Sequence, residues 1–364
     1  MASSNAVRFL SNASGSDDTS LALKMYWGSV VEAYRTSSYL WEPPAPIIKK
    51  KTVTSGKSWQ YLMLADTPDP EDHTEGDELL GQNFAVEEGT ITVDQILVAH
   101  QDVPISHLAF SHFDVLGPLG VKNGKRLARK YDQRACQTAV LAYRTAAVTK
   151  NGLTVHNGGN LVQRSGSATI TTAYPATPQG AQRIMDDCAE LAYAMDVDEC
   201  PEDRWILLHK HFRRVLTREN GFHYDTPANT VVPRGSGLFG SDYNTVGNDL
   251  NRRQIMMIEG FKILGFANYQ SAGGPIPDTN IATGLSQYQV NCAGAATGTG
   301  KPVGIAFVAA GDQGQAGIGS VSFQGVRAHM ETDERRNTVF MKAQMLAGMS
   351  KMHVWNTGGI EIYA

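Results

Sequence analysis

An α+β fold is predicted by helical and strand-like runs mixed along one chain and joined by long glycine-rich connections. Apolar residues recur at helical spacing after Asp17, Gly124 and Thr177, and strand-like apolar runs appear at 52–64, 90–98 and several places beyond residue 250. The 364 residues suffice for one large domain or two interleaved ones with a substantial core, and no internal repeat is present.

Residues 1–16, rich in Ser, Asn and Ala, read as a mobile tail. Asp17 and Asp18 then supply a cap and a favourable charge for a helix N-terminus. Leu23, Trp27, Val30 and Tyr34 form an apolar stripe at i, i+4, i+7 and i+11, and Pro43, Pro44 and Pro46 end the helix. This stripe has no sequence-adjacent partner. It packs either on the chain's own core or on a neighbouring subunit, and both readings stand at this point.

From Thr52 to Leu64 the pattern is strand-like, with Trp59, Tyr61 and Met63 on one face and Gln60, Leu62 and Leu64 on the other. A second such run covers Thr90 to Val98. Between them Asp66, Asp69, Glu71, Asp72, Glu75, Asp77 and Glu78 mix with prolines and glycines in a long acidic connection. The expectation is a two-stranded arm with an acidic tip, and because an isolated two-stranded hairpin is marginal in water, the arm should lie against something else.

A long helix is expected from about Gly124 to Lys150, closed by Asn151-Gly152 as a left-handed stop. Leu127, Tyr131, Ala135, Ala139, Ala142 and Ala146 mark its apolar face, and Arg126, Lys130, Arg134 and Arg144 the opposite one. Charges so placed read first as a solvated face and second as a binding surface. Thr177-Pro178 is a cap and first-turn pair opening a further helix with Ala181, Ile184, Met185, Cys188, Leu191 and Met195 inward. A strand at Arg204–Leu208 runs into a helix ending at Asn220-Gly221. Strand-like runs follow at 255–267, 302–309, 326–332, 338–346 and 359–363, with glycine-rich loops at 233–248, 271–300 and 311–325.

Composition excludes several classes of function. A formal charge of -4 gives little attraction for polyanions, whose binding grows with the number of cations that displace counterions. No run approaches the roughly 18 apolar residues of a membrane span, and Met1–Leu10 lacks a secretory layout, so a cytoplasm-like compartment is expected. Cys136, Cys188, Cys200 and Cys292 lie far apart without zinc spacing and read as reduced, buried residues. Charged residues are only 19% of the chain and glycines number 36, which suits a surface covered by neighbours.

No motif carries catalytic chemistry. Ser55-Gly56-Lys57-Ser58 resembles the end of a phosphate-binding loop, but Lys51 stands where its first glycine belongs; Gly298-Thr299-Gly300-Lys301 fails at Ala295 and at Pro302. His209 and His211 have no third ligand at metal spacing, Asp196, Asp198 and Glu199 suit an acidic loop, and no Gly-x-Ser-x-Gly elbow exists. Neither an enzyme nor a cofactor or metal is expected.

The segments LALKMYWGSVVEAYR (21–35), TSGKSWQYLML (54–64), Gly76–Leu79, TITVDQILV (90–98), Phe113–Tyr143, PEDRWILLHKHFRRVL (201–216) and IEGFKILGFAN (258–268), in that order and spacing, resemble the major capsid protein of short-tailed, podovirus-type bacteriophages. The resemblance covers most of the chain from about residue 19. It departs at Met352–Asn356, where the family often has a Leu-Arg-Pro-like turn.

The resemblance implies the tailed-phage and herpesvirus shell fold, with an N-terminal arm (1–51), an extended β-hairpin loop (52–98), a peripheral domain with a long spine helix (99–175 and 326–364) and an axial domain (176–325). It implies a structural subunit that self-assembles into pentamers and hexamers of an icosahedral head around packaged double-stranded DNA, in the virion, after assembly in the host bacterial cytoplasm. Implied partners are further copies of the chain, a scaffolding protein, a portal protein, a cement or decoration protein, and weak non-specific contact with DNA; no membrane is involved. Interface candidates are Trp27, Tyr34, Lys57, Trp59, Tyr61, Met63, Asp69, Glu71, Asp72, Glu75, Asp77, Arg126, Lys130 and Arg134. Trp59, Tyr61 and Met63 are each worth about 1.5–3 kcal/mol if a neighbour covers them fully, before ordering costs. Alternatives are an encapsulin-like compartment shell and a soluble α+β enzyme with an unrecognised site.

Overall fold

A computed structural model describes residues 18–65, 70, 72–73, 75–76, 78, 81–82, 84–93, 95–110, 116–166, 169–219, 222–225, 230–233, 257–282, 284–295, 298–309, 315–333 and 335–364. The expected tail at 1–16 and most of the glycine-rich loop 233–248 lie outside the described residues.

The chain opens with helix α1 (Asp18–Ser37), strand β1 (Ile48–Thr52), the hairpin β2 (Ser58–Leu64) and β3 (Val86–Thr92), strand β4 (Leu97–Pro104), and helices α2 (Ile105–Phe110) and α3 (Leu116–Tyr143). Next come β5 (Val148–Lys150), β6 (Leu153–His156), β7 (Asn160–Arg164), α4 (Ile170–Ala173), α5 (Pro178–Val197), β8 (Arg204–His209) and α6 (Lys210–Glu219). The chain closes with β9 (Phe222–Asp225), β10 (Thr230–Pro233), β11 (Met257–Ile258), β12 (Phe261–Ala267), β13 (Lys301–Val308), β14 (Ile318–Asp333), β15 (Thr338–Lys351) and β16 (Thr357–Ile362). The expected α+β class is the observed one.

Two sheets flank α3. A four-stranded sheet runs β1-β14-β15-β4, and a six-stranded sheet runs β11-β12-β8-β13-β16-β7. The period of two along the strands gives the six-stranded sheet two buried faces. Leu207, Ile305 and Phe307 join the core around α3, whereas Ile206, Leu208, Ala306 and Val308 join a second core with α5 and α6. The strands at 160–164 and 357–362 sit in this sheet, and residues 318–325 sit in the four-stranded one, so the boundaries at 175/176 and 325/326 do not follow the sheets.

Helix α5 matches expectation closely. The Thr177 side chain accepts from the Gly180 N–H, Pro178 occupies the first turn, and Ala181, Ile184, Met185, Cys188, Leu191 and Met195 are all buried. The long helix differs at both ends. It begins at Leu116 rather than Gly124, because Gly120 and Gly124 let α1 approach: a Cβ at Gly124 would fall on the Val30 carbonyl, and one at Gly120 on the Ser29 hydroxyl. Packing against α1 thus outweighs the poor helix propensity of the glycines. It ends at Tyr143, and Ala146 lies exposed beyond it. Asn151 and Gly152, at φ 55° and 81°, instead make the tight turn between β5 and β6, since two successive left-handed residues match the twist of a two-residue hairpin.

Three strand expectations are also corrected. Of the run 52–64, Thr52 is the last residue of β1, which pairs in parallel with β14, residues 53–57 are not strand, and only Ser58–Leu64 form β2, paired with β3. The run 90–98 divides because Val93, whose N–H donates to the Lys57 carbonyl, ends the hairpin before β4 pairs with β15. Residues 318–325, assigned to a loop for their glycines, are the first half of β14.

Candidate assembly interface

The arm is the β2–β3 hairpin, in register from Ser58 opposite Thr92 to Leu64 opposite Val86. Its alternation faces Trp59, Tyr61 and Met63 toward the chain's own body. Lys49 and Lys51 lie 5.8 and 5.1 Å from the Trp59 ring, and the Tyr61 hydroxyl donates to the Lys351 carbonyl at 2.7 Å. Burial, with the charge of Glu87, pushes the Tyr61 hydroxyl up to about 12. Met63 packs with Ala85 and Val155. Beneath the arm, His353 stands 6.5 Å from Tyr61 and 4.9 Å from Trp355, and burial holds its pKa down at about 4.

The opposite face of the arm is open. Leu62, Leu64 and Phe84 are 62%, 68% and 79% exposed. The expected division of β2 into two faces is present: Trp59, Tyr61 and Met63 contact the chain's own residues, and Leu62 and Leu64 on the other face are exposed. The partner of the inner face, at 351–355, is nearly 300 residues away. Lys57 is exposed in the turn at the arm's base, and Asp72 and Glu75 are exposed at its tip. Asp69, Glu71 and Asp77 lie outside the described residues.

Helix α1 lies on α3, and its apolar residues divide. Tyr26, Val30, Ala33 and Tyr34 are buried, whereas Trp27 is 50% exposed. Tyr34, Trp41 and Tyr131 make an edge-to-face group with centroids 5.1–6.3 Å apart. Of the two readings for this helix, Tyr34 takes the chain's own core and Trp27 remains available to a neighbour.

The segment after α1 is tied to α3 by Asp132. The buried carboxylate accepts from the Ser38 hydroxyl at 2.6 Å, the Tyr39 N–H at 2.9 Å and the Leu40 N–H at 3.3 Å. Burial pushes its pKa up to about 6 against the pull of those hydrogen bonds and of Lys50. A carboxyl raised on folding stabilises fully only below its unfolded pKa, and that contribution is lost as pH rises through the folded value. We expect the unfolding free energy of the wild type, minus that of Asp132→Asn, to fall by on the order of 2–3 kcal/mol between pH 4 and pH 7 and to be flat above. Urea unfolding of the dissociated subunit across this range measures it; a constant difference contradicts the assignment.

On α3, Arg126 and Lys130 are exposed and Arg134 is half-buried with its guanidinium 5.1 Å from the Tyr288 ring. Lys130 and Arg134 line a cleft of about 570 Å³ together with Gln95, Ile96, Gln137, Gln270 and Leu285. Gln137 donates to the Gln270 side chain at 3.2 Å. Desolvation of Lys130, and then the charge of Arg134, lower the ammonium's pKa.

Arg144 is a correction: the fourth cation of the expected solvated face is turned inward. Its side chain pairs with Glu361, which is wholly buried, and donates to the carbonyls of Asn291 and Gly300. The other expected polar groups have structural roles too. Asp196 pairs with Arg204 at 2.6 Å, Asp198 closes α5, and His211 lies 2.7 Å from the Tyr174 carbonyl. His209 accepts from the His211 N–H.

With this geometry in view, comparison with known proteins gives a consistent picture. The family model described as Gp10A-like major capsid protein matches residues 69–203, from the arm tip through α3 to the start of β8. No curated protein matches the chain. Among solved structures, the capsid of cyanophage P-SCSP1u aligns at 18% identity and TM-score 0.66, covering 88% of this chain and 89% of that one. The mature capsid of bacteriophage PhiM1 aligns at 13% identity and TM-score 0.62, covering 87% and 86%. The capsid of a native GTA particle aligns at 12% identity and TM-score 0.51, covering 87% and 89%. The chain thus has the tailed-phage major capsid fold along nearly its whole length, and its residues 69–203 match the Gp10A-like major capsid protein family.

Proposed function

We propose that the chain forms the icosahedral head of a short-tailed phage, closing into pentamers and hexamers around packaged double-stranded DNA. The observation that carries this reading is the fold, which this chain shares with phage shells over almost its full length. The arm supports it: Leu62, Leu64 and Phe84 form an apolar face that the chain itself leaves uncovered. The 1–51 segment serves as N-terminal arm, 52–98 as the extended loop, α3 with the four-stranded sheet as the peripheral domain, and α5 and α6 with the six-stranded sheet as the axial domain. A scaffolding protein, a portal and a cement protein complete the set of partners. Contact with DNA is weak and sequence-independent, in keeping with a net charge of -4. Assembly takes place in the host bacterial cytoplasm, and the finished shell belongs to the virion.

Co-expression with a candidate scaffold, followed by negative-stain microscopy, tests the shell; mass analysis of particles from infected cells tests their contents. Closed shells carrying genomic DNA and a portal are expected. Particles holding a single protein cargo, or a chain that stays monomeric at every concentration and with every co-expressed component, contradict the proposal.

A further inference from the structure

His353 lies in the 352–356 segment between β15 and β16, where two patches of arm contact meet. On one side Met352 belongs to an apolar cluster with Ile91, Trp59 and Tyr61. On the other, Trp355 and Tyr61 pack against Met63, Ala85 and Val155. The arm thus covers the histidine.

This seat suits the neutral ring and opposes the cation. The Nδ1 of His353 is buried and, among the described residues, has no hydrogen-bond partner. In a neutral imidazole one nitrogen donates and the other accepts, so an unpartnered Nδ1 leaves at most one group unsatisfied; in the protonated ring both nitrogens donate and each needs an acceptor. Burial opposes the charge first, followed by Lys49 on β1 and His156 on β6. His156 is itself stacked on Trp355 at 6.0 Å, with its Nδ1 2.8 Å from the Asn157 carbonyl. From the arm, Tyr61 faces the ring with its hydroxyl engaged on the Lys351 carbonyl. The charge of Glu87 on β3 acts on Tyr61, and that carboxylate pairs with Lys150 at 3.7 Å.

The arm can leave this seat by itself. Strands β2 and β3 pair only with each other, so lifting them breaks no ladder of either large sheet. A two-stranded unit resting on a few apolar contacts opens at far lower cost than a core.

We propose that the arm's seat on its own body is a proton-operated latch: a proton taken up by His353 lifts β2 and β3 off the 352–356 segment while both cores stay folded. The proton comes from solvent and returns there as the pH rises, so the latch is reversible. Its operation belongs to the subunit, and only the use of a freed arm in a shell rests on the shell reading.

Hydroxyl-radical footprinting of the dissociated full chain from pH 7 to pH 4 provides the test. Met63 and Met352 report on the seat, the exposed Met25 normalises the dose, and Met195 and Met345 report on the cores. With the seat open, the ring titrates near its ordinary 6.5, against about 4 when covered. The opening equilibrium should therefore rise on the order of a hundredfold between pH 7 and pH 4. Met63 and Met352 should gain oxidation together while Met195 and Met345 do not. His353→Gln and His353→Phe cannot take up the proton and should each be flat over that range. Glu87→Gln removes the other acid-titrating group beside Tyr61 and should keep the wild-type slope. The latch is overturned by a wild type insensitive to pH, by a slope that survives in both neutral His353 variants or vanishes in Glu87→Gln, or by core methionines oxidised in step with Met63. All of these are read on the subunit alone, so none of them decides the shell reading.

Discussion

Replacing Glu361 by alanine should destabilise the subunit by about 3–5 kcal/mol, a large part of the roughly 5–15 kcal/mol that holds a protein folded. Glu361 is wholly buried in β16, and its Oε1 accepts from the Tyr143 hydroxyl and from Arg144 Nε, both at 2.7 Å. Gln163 donates to Oε2 at 3.4 Å, and the Arg144 guanidinium also donates to the Asn291 and Gly300 carbonyls at 2.7 Å. The end of the spine helix, two adjacent strands of the six-stranded sheet and the 291–300 segment thus converge on one carboxylate. Burial raises the Glu361 pKa, while Arg144 and the hydrogen bonds from Tyr143, Arg144 and Gln163 pull it down. Alanine leaves the largely buried guanidinium without its countercharge and the Tyr143 hydroxyl without its acceptor. Removing both charges together, as Arg144→Met with Glu361→Leu, should recover most of the loss, because the desolvation cost disappears with the pair. Urea unfolding of the dissociated subunit compares the three chains. A single variant within 1 kcal/mol of wild type, by far too small a loss for a broken buried pair, refutes this account.

This junction also marks where sequence reasoning stopped. Arg144 falls five helical turns after Arg126 on the same face and so reads as solvated, and its partner stands 217 residues away. Helix α5 was legible because its signals are local: a cap, a proline in the first turn and six apolar residues at helical spacing. The start of α3 was hidden for the opposite reason. Gly120 and Gly124 read as breakers until α1 supplies the surface that needs them bare. Asn151-Gly152 serves a helix end and a hairpin turn equally well, and only the pairing of β5 with β6 decides between them. In the candidate interface, charge alone marks an acidic connection in the arm and basic residues on α3, of which Arg126 and Lys130 are exposed. The division of α1 into a buried Tyr34 and an exposed Trp27 was not legible, since it depends on the angle at which two helices meet. Alternation likewise separates the faces of β2 without saying which one the chain covers itself.

Excising residues 66–84 and joining Ala65 to Ala85 through Asn-Gly should move stability and assembly in opposite directions. The Ala65 N–H already donates to the Ala85 carbonyl at 2.9 Å, so a two-residue turn can close the hairpin without disturbing its register. Trp59, Tyr61 and Met63 keep their contacts with the body, because those contacts lie within β2. Shortening the connection lowers the entropy cost of closing it, by up to about 2 kcal/mol for a flexible loop. The dissociated subunit should therefore unfold at equal or higher urea concentration than wild type. Shell closure should nevertheless be lost, since the variant lacks Asp72, Glu75, Glu78 and the exposed Phe84, the groups that reach past the subunit's own surface. Sedimentation and negative-stain microscopy are expected to show small soluble oligomers. Unchanged particle yield would remove the tip from assembly, whereas a destabilised subunit would make it part of the fold. Only the combination of retained folding and lost closure assigns the tip to contact between copies.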